Sequence, residues 1–93
     1  MFGFTDDAAV LIRSLITDAR LGPGSGLRMS ITRGHPGRAS LAMSLAARPG
    51  ATDRVITRHD VRVFLDPAAA GRLHTRTLDA QVTDRPAFFL RDR

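Results

Sequence analysis

The hydrophobic period of this chain changes once, and that change limits what it can fold into. Ala8, Leu11, Ile12, Leu15, Ile16 and Ala19 recur at helical spacing, with Arg13, Ser14, Thr17 and Asp18 on the opposite face. From Leu27 the period is two, with Leu27, Met29 and Ile31 alternating against Arg28, Ser30 and Thr32. Between the two lies GPGSG (residues 22–26), where Gly22 and Pro23 are expected to end the helix. An amphipathic helix followed by half-buried strands needs a sheet to lie against, which predicts an α+β domain.

The local signals extend this reading. Thr5 before Asp6 and Asp7 marks the helix start, since the hydroxyl caps free amides and the carboxylates meet the positive end of the dipole. Leu41, Met43 and Leu45 alternate with Ala42, Ser44 and Ala46, and RPGATD (residues 48–53) supplies turn chemistry. Val55 to Thr57, a turn at His59 and Asp60, and Val61, Val63 and Leu65 alternating with Arg62 and Phe64 predict a hairpin. Asp66-Pro67 opens a short helix over residues 68–73, as an N-cap followed by proline at the first helical position. Leu78, Ala80 and Val82 alternate again, and residues 87–90 form a last strand after Arg85-Pro86. The expected order is α-β-β-β-β-α-β-β: a compact, mainly antiparallel β-sandwich or barrel with one N-terminal amphipathic helix and one short helix. Residues 1–93 form a single domain, without internal repeats.

Composition excludes more function than any motif suggests. The chain has no cysteine, so disulfides, thiolate nucleophiles and thiolate-held metals are absent together. All 14 cationic side chains are Arg and all 9 anionic ones Asp, a bias that GC-rich codons produce and that points to a bacterial genome. The net charge of +5 is spread along the chain, whereas nucleic-acid binders concentrate it in a patch. MFGFTDD lacks the basic start of a secretion signal, and no apolar run approaches the roughly 20 residues of a membrane span. A cytoplasmic address is expected.

The segment RGHPGRAS (residues 33–40) sits between two alternating runs and invites a ligand-binding reading. It lacks the glycine spacing of a dinucleotide or Walker loop, and a strand rather than a helix follows it. His35, His59 and His74 lie 24 and 15 residues apart, spacings that match no short-range metal pattern. Asp66 reads as a cap, and His59 with Asp60 as a solvated turn pair. No two titratable groups converge by pattern, so the chain is read as a non-enzyme. Met29, Met43, Phe64, Phe88 and Phe89 are expected in the core or an interface, with Phe2 and Phe4 beneath the first helix.

Four stretches together resemble the HesB/IscA-like family of A-type iron-sulfur carriers. FTDDAAVLIRSLI (residues 4–16) resembles its opening helix and GLRMSI (26–31) its first strand. VRVFLDPAAAGRLHTRTLDAQV (61–82) is similar to its most recognisable block, and PAFFL (86–90) to its closing strand. The resemblance implies a compact β-rich domain that forms dimers or tetramers and accepts or delivers iron or iron-sulfur clusters. It also implies three cysteine ligands, one in a glycine-rich turn and two in a C-terminal CGC-type tail. An ungapped comparison from Gly26 puts Pro36 at the first of these positions, flanked by His35 and Gly37. The other two find no counterpart before Arg93. None of the ligand positions carries over, and His35 is left as a weak metal candidate.

The expected function is therefore that of a HesB-like protein linked to iron-sulfur cluster assembly that has lost its ligands. It is expected to act as an accessory or binding module, self-associating as a homo-oligomer, with no cofactor of its own. Iron-sulfur assembly proteins are its expected partners. A different class remains open: a basic module using Arg28, Arg33, Arg38 and Arg62 on one sheet face to hold an acidic protein or nucleic acid. A third is a metal carrier using His35 across a symmetric interface.

Overall fold

The computed structural model describes residues 1–35 and 37–92. Its elements run β1 (Gly3–Phe4), α1 (Asp6–Asp18), β2 (Gly26–His35), β3 (Arg38–Ala46), β4 (Arg54–Arg58), β5 (Val61–Leu65), α2 (Pro67–Leu73), β6 (Arg76–Gln81) and β7 (Ala87–Asp92). The two-residue β1 is absent from the expected order, because so short a strand has no alternation. It is defined by its partner: Gly3 and Phe4 pair in parallel with Thr77 and Leu78.

The strands form two mixed sheets, ordered β1-β6-β7 and β3-β2-β5-β4. Three pairings are antiparallel, as expected, but β2 lies parallel to β5 and β1 parallel to β6. In the larger sheet the β2–β3 and β4–β5 hairpins join through their first and last strands, β2 beside β5, which leaves β3 and β4 as edges. Helix α1 packs on β6 and also touches β2 and β5, and α2 packs on β2 and β5. Phe4, Ile12, Met29, Val63, Leu65 and Leu78 are almost wholly enclosed between these layers.

Phe64 departs from simple alternation. It stands on the opposite face of β5 from Val63 and Leu65, yet it too is fully buried. Register places it between Arg28 of β2 and Val55 of β4. Gly26 leaves room for the ring: a Cβ there would lie 3.0 Å from Phe64 Cζ and 2.5 Å from the carbonyl oxygen of Arg62. Asp53, from the turn before β4, closes this face by accepting from Arg28 Nε at 2.9 Å and Nη2 at 3.0 Å. It also accepts from the Gly50 amide at 2.8 Å. On β7, Phe88 and Leu90 pack against the core while Phe89 is 46% exposed, so of the core and interface positions expected for it the core is excluded.

Thr5 joins the two halves of the chain. Its hydroxyl accepts from the Ala8 amide at 3.2 Å, capping α1, and donates to Asp79 Oδ1 at 2.6 Å. Its own amide donates to the Leu78 carbonyl at 2.9 Å. Asp79 Oδ1 also accepts from the Ala80 amide, and Oδ2 from Arg91 Nη1 at 3.0 Å, so one carboxylate ties α1 to β6 and β7. The second N-cap is as expected, with Asp66 Oδ1 accepting from the Ala69 amide at 2.7 Å. The turn between β4 and β5 has two residues in the left-handed region, His59 at φ 51° and Asp60 at φ 64°. That is the conformation a two-residue hairpin loop needs to match strand twist.

Helix α1 ends earlier than Gly22. Arg20 takes the left-handed conformation at φ 56°. Its amide bonds the Thr17 carbonyl and the Leu21 amide bonds that of Ile16, which is a Schellman motif. An arginine thus occupies the position that glycine fills most cheaply, so Arg20→Gly is expected to raise stability by about 1 kcal/mol. For a domain of this size that is roughly 4–8 °C in a thermal melt; an unchanged or lower midpoint would contradict the assignment.

Asp79 is held below the usual carboxylate range first by the Thr5 hydroxyl, then by the Ala80 amide, with Arg91 adding to them against burial. Asp53 is lowered by Arg28 and, to a smaller extent, by the Gly50 amide. A carboxylate whose folded pKa lies below its unfolded value stabilises the fold above about pH 4 and loses that contribution as pH falls through the folded value. The wild-type melting temperature is therefore expected to fall on acidification from about pH 5 to pH 2. Asp79→Asn and Asp53→Asn should each melt lower at neutral pH and show a shallower acid slope. Equal slopes in all three proteins would contradict this account.

Candidate functional site

The segment RGHPGRAS lies at the tip of a two-stranded ribbon. Strands β2 and β3 pair in register from Gly26↔Ala46 to Thr32↔Ser40, shift once between Thr32 and His35, and close on His35↔Arg38. Two residues join the strands there. Gly37 has φ 77°, the left-handed value that favours glycine. Pro36 and the side chain of His35 lie outside the described residues. The backbone of His35 belongs to β2.

The chemistry available at this tip is set by residue type. The segment offers one imidazole, one hydroxyl and two guanidinium groups, with no thiol and no carboxylate. Iron-sulfur clusters are held chiefly by thiolates, with imidazole as a partial substitute, so these residues do not fit a cluster. Arg33 and Arg38 make the tip electropositive as well, which disfavours a bare iron cation.

The other two histidines sit elsewhere and serve local structure. His59, in the β4–β5 turn, places Nε2 3.1 Å from Asp6 Oδ1, and its carbonyl accepts from Arg13 Nη2 at 2.6 Å. Asp6 also accepts from Arg58 Nη2 at 3.0 Å, so the acid read as a dipole partner of α1 has a second task in holding this turn. His74 follows α2, with Nδ1 2.8 Å from the Gly71 carbonyl oxygen. Among the described residues no three His, Asp or Glu side chains come together as a metal site.

Of the four arginines considered as a basic face, Arg28 is committed to Asp53, whose side chain is almost fully enclosed. Its charge is therefore neutralised within the fold. Arg62 shares the outer face of the four-stranded sheet with Arg28, because Thr57↔Arg62 and Arg28↔Phe64 alternate with the core pairs. Arg33 falls where the β2–β3 register shifts and Arg38 at the far end of the ribbon. The four do not form one continuous cationic patch.

Sequence pattern missed two groups. Asp53 looked like an ordinary turn residue and Asp79 like the polar member of an alternating strand, yet both carboxylates are enclosed and multiply hydrogen-bonded. Their partners Arg28 and Thr5 stand 25 and 74 positions away, beyond the reach of any local signal. The ribbon also exposes apolar surface: Leu41 and Met43 of β3 pair with Ile31 and Met29 of β2 but remain 37% and 38% exposed.

No family model and no curated protein matches this chain. Solved structures do. Escherichia coli SufA, a protein involved in biosynthesis of iron-sulfur clusters, superposes with a TM-score of 0.76 at 18% identity, over 98% of this chain and 84% of that one. IscA with its [2Fe-2S] cluster gives 0.80 at 22%, over 99% and 85% of the two chains. An Aquifex aeolicus protein solved by NMR gives 0.75 at 22%, over 99% and 91%. From end to end, this chain has the fold of SufA and IscA.

Proposed function

We propose that this chain is a ligand-less counterpart of the HesB/IscA-like carriers, acting in the bacterial cytoplasm as a non-catalytic accessory or binding module of iron-sulfur cluster biogenesis. The observation that carries the reading is the pairing of a full-length SufA- and IscA-like fold with a ribbon tip that has no thiolate. A protein of this kind keeps a shape that assembly partners recognise and gives up the means to hold the cluster itself. Fold alone does not transfer chemistry, so the role rests on contact rather than on cargo.

The contact surface in this reading is the β3 edge. An edge strand presents unpaired backbone groups to a second strand, and Leu41 and Met43 add apolar area beside them. A second copy of the chain is the expected occupant, and a cysteine-bearing relative of the same fold would meet the same surface.

Anaerobic reconstitution with iron and sulfide, with and without glutathione, tests the ligand claim. After desalting, the protein is expected to be colourless and iron-free in both arms. Stoichiometric iron with visible absorption in either arm would overturn it. Sedimentation velocity tests the surface: the wild type is expected to sediment as a dimer. A Leu41→Asp, Met43→Asp double variant should sediment as a monomer with a near-normal melting temperature. A monomeric wild type, or a variant that dimerises equally well, would refute the β3 assignment.

A further inference from the structure

A second recess lies away from the ribbon. Beside the β4 edge, Phe2, Ile56, Leu65 and Ala70 line a mainly apolar cleft of about 330 Å³, with Arg54 and His74 in its wall. That volume is at the lower end of the roughly 300–1,000 Å³ typical of small-molecule sites, which combine an apolar lining with a few placed polar groups.

Register decides which way the arginine stands. Arg54 pairs with Leu65, as Ile56 pairs with Val63 and Arg58 with Val61. Arg54, Ile56 and Arg58 therefore form one row on the core side of an edge strand. At one end of the row Arg58 is satisfied, donating to the Phe4 carbonyl at 2.9 Å and to Asp6 at 3.0 Å. At the other end, Arg54 has neither a carboxylate nor any other acceptor for its side chain among the described residues. His74 uses Nδ1 at the Gly71 carbonyl, and its Nε2 has no partner among the described residues. The cleft thus joins apolar walls to an uncompensated guanidinium and a free imidazole nitrogen.

We propose that this cleft binds a small amphiphilic carboxylate, such as a medium-chain fatty acid. The carboxylate would sit on the Arg54 guanidinium, whose planar fork suits two-point contact. The tail would lie over Phe2, Ile56 and Leu65. The opposing explanation for the arginine is that an inward-pointing charge protects the β4 edge from pairing with another strand, which requires no ligand.

Titration of the full chain with octanoate, octanol and octylammonium, followed by two-dimensional 1H–15N spectra, separates the two. Saturable shifts confined to residues 2, 54–56, 65 and 70–74, seen with octanoate and at least about tenfold weaker with the other two probes, are expected from a charge-assisted contact. Arg54→Gln should weaken octanoate binding by about tenfold or more while the remaining spectrum stays in place. Shifts that do not saturate, equal shifts from all three probes, or full affinity in Arg54→Gln would overturn the proposal and leave the edge-protecting role.

Discussion

The hydrogen bond from Thr5 to Asp79 is the contact on which the architecture turns. It links residues 74 positions apart at 2.6 Å and lies where the α1 N-terminus, the β1–β6 pairing and the β6–β7 hairpin meet. Without it, the side-chain cap of α1 would be an isolated local event, and only the Thr5 amide on the Leu78 carbonyl would tie that cap to β6. The carboxylate accepts three hydrogen bonds, one each from Thr5, Ala80 and Arg91, and no buried side-chain polar atom is left unpartnered among the described residues. A polar group enclosed in this way is tolerable only when satisfied. Asp53 repeats the arrangement on the other sheet with Arg28.

These two carboxylates also mark the limit of what the sequence disclosed. Both helices, both N-caps, the alternating strands and the His59-Asp60 turn follow from short-range chemistry: capping oxygens, period, and residues that tolerate a left-handed backbone. Phe2 and Phe4 are both buried, and Phe2 lines the cleft beside the β4 edge. Strand order is different in kind. That β2 runs beside β5, and β1 beside β6, depends on pairings between distant segments, and nothing within either segment encodes the partner. Phe64 is buried as expected, although it stands on the face of β5 opposite Val63 and Leu65, and alternation alone does not predict that this second face is enclosed as well. At the helix end, glycine was the local signal and Arg20 the actual left-handed residue.

The ribbon tip was legible in a narrower sense. Its residue types ruled out thiolate chemistry without reference to any coordinates, and the fold confirms only that the tip joins two long strands. What surrounds it, including the half-exposed Leu41 and Met43, required the register. The arginines taken together as a face in the sequence divide in the structure between an internal ion pair, an open sheet surface and the ribbon's end, so a charge total says little about a charge pattern.

The β2–β3 ribbon has one more consequence. Its outer half is held by backbone pairing, while the enclosed side chains of β2 stop at Met29. Beyond it Ile31 still packs partly against the core, whereas Thr32, Arg33 and residues 37–41 are exposed, so exchanging those outer residues leaves the folding equilibrium nearly untouched. The residue types at the tip can therefore differ without disturbing the enclosed core beneath them. Shape and reactivity in this architecture are separable inheritances.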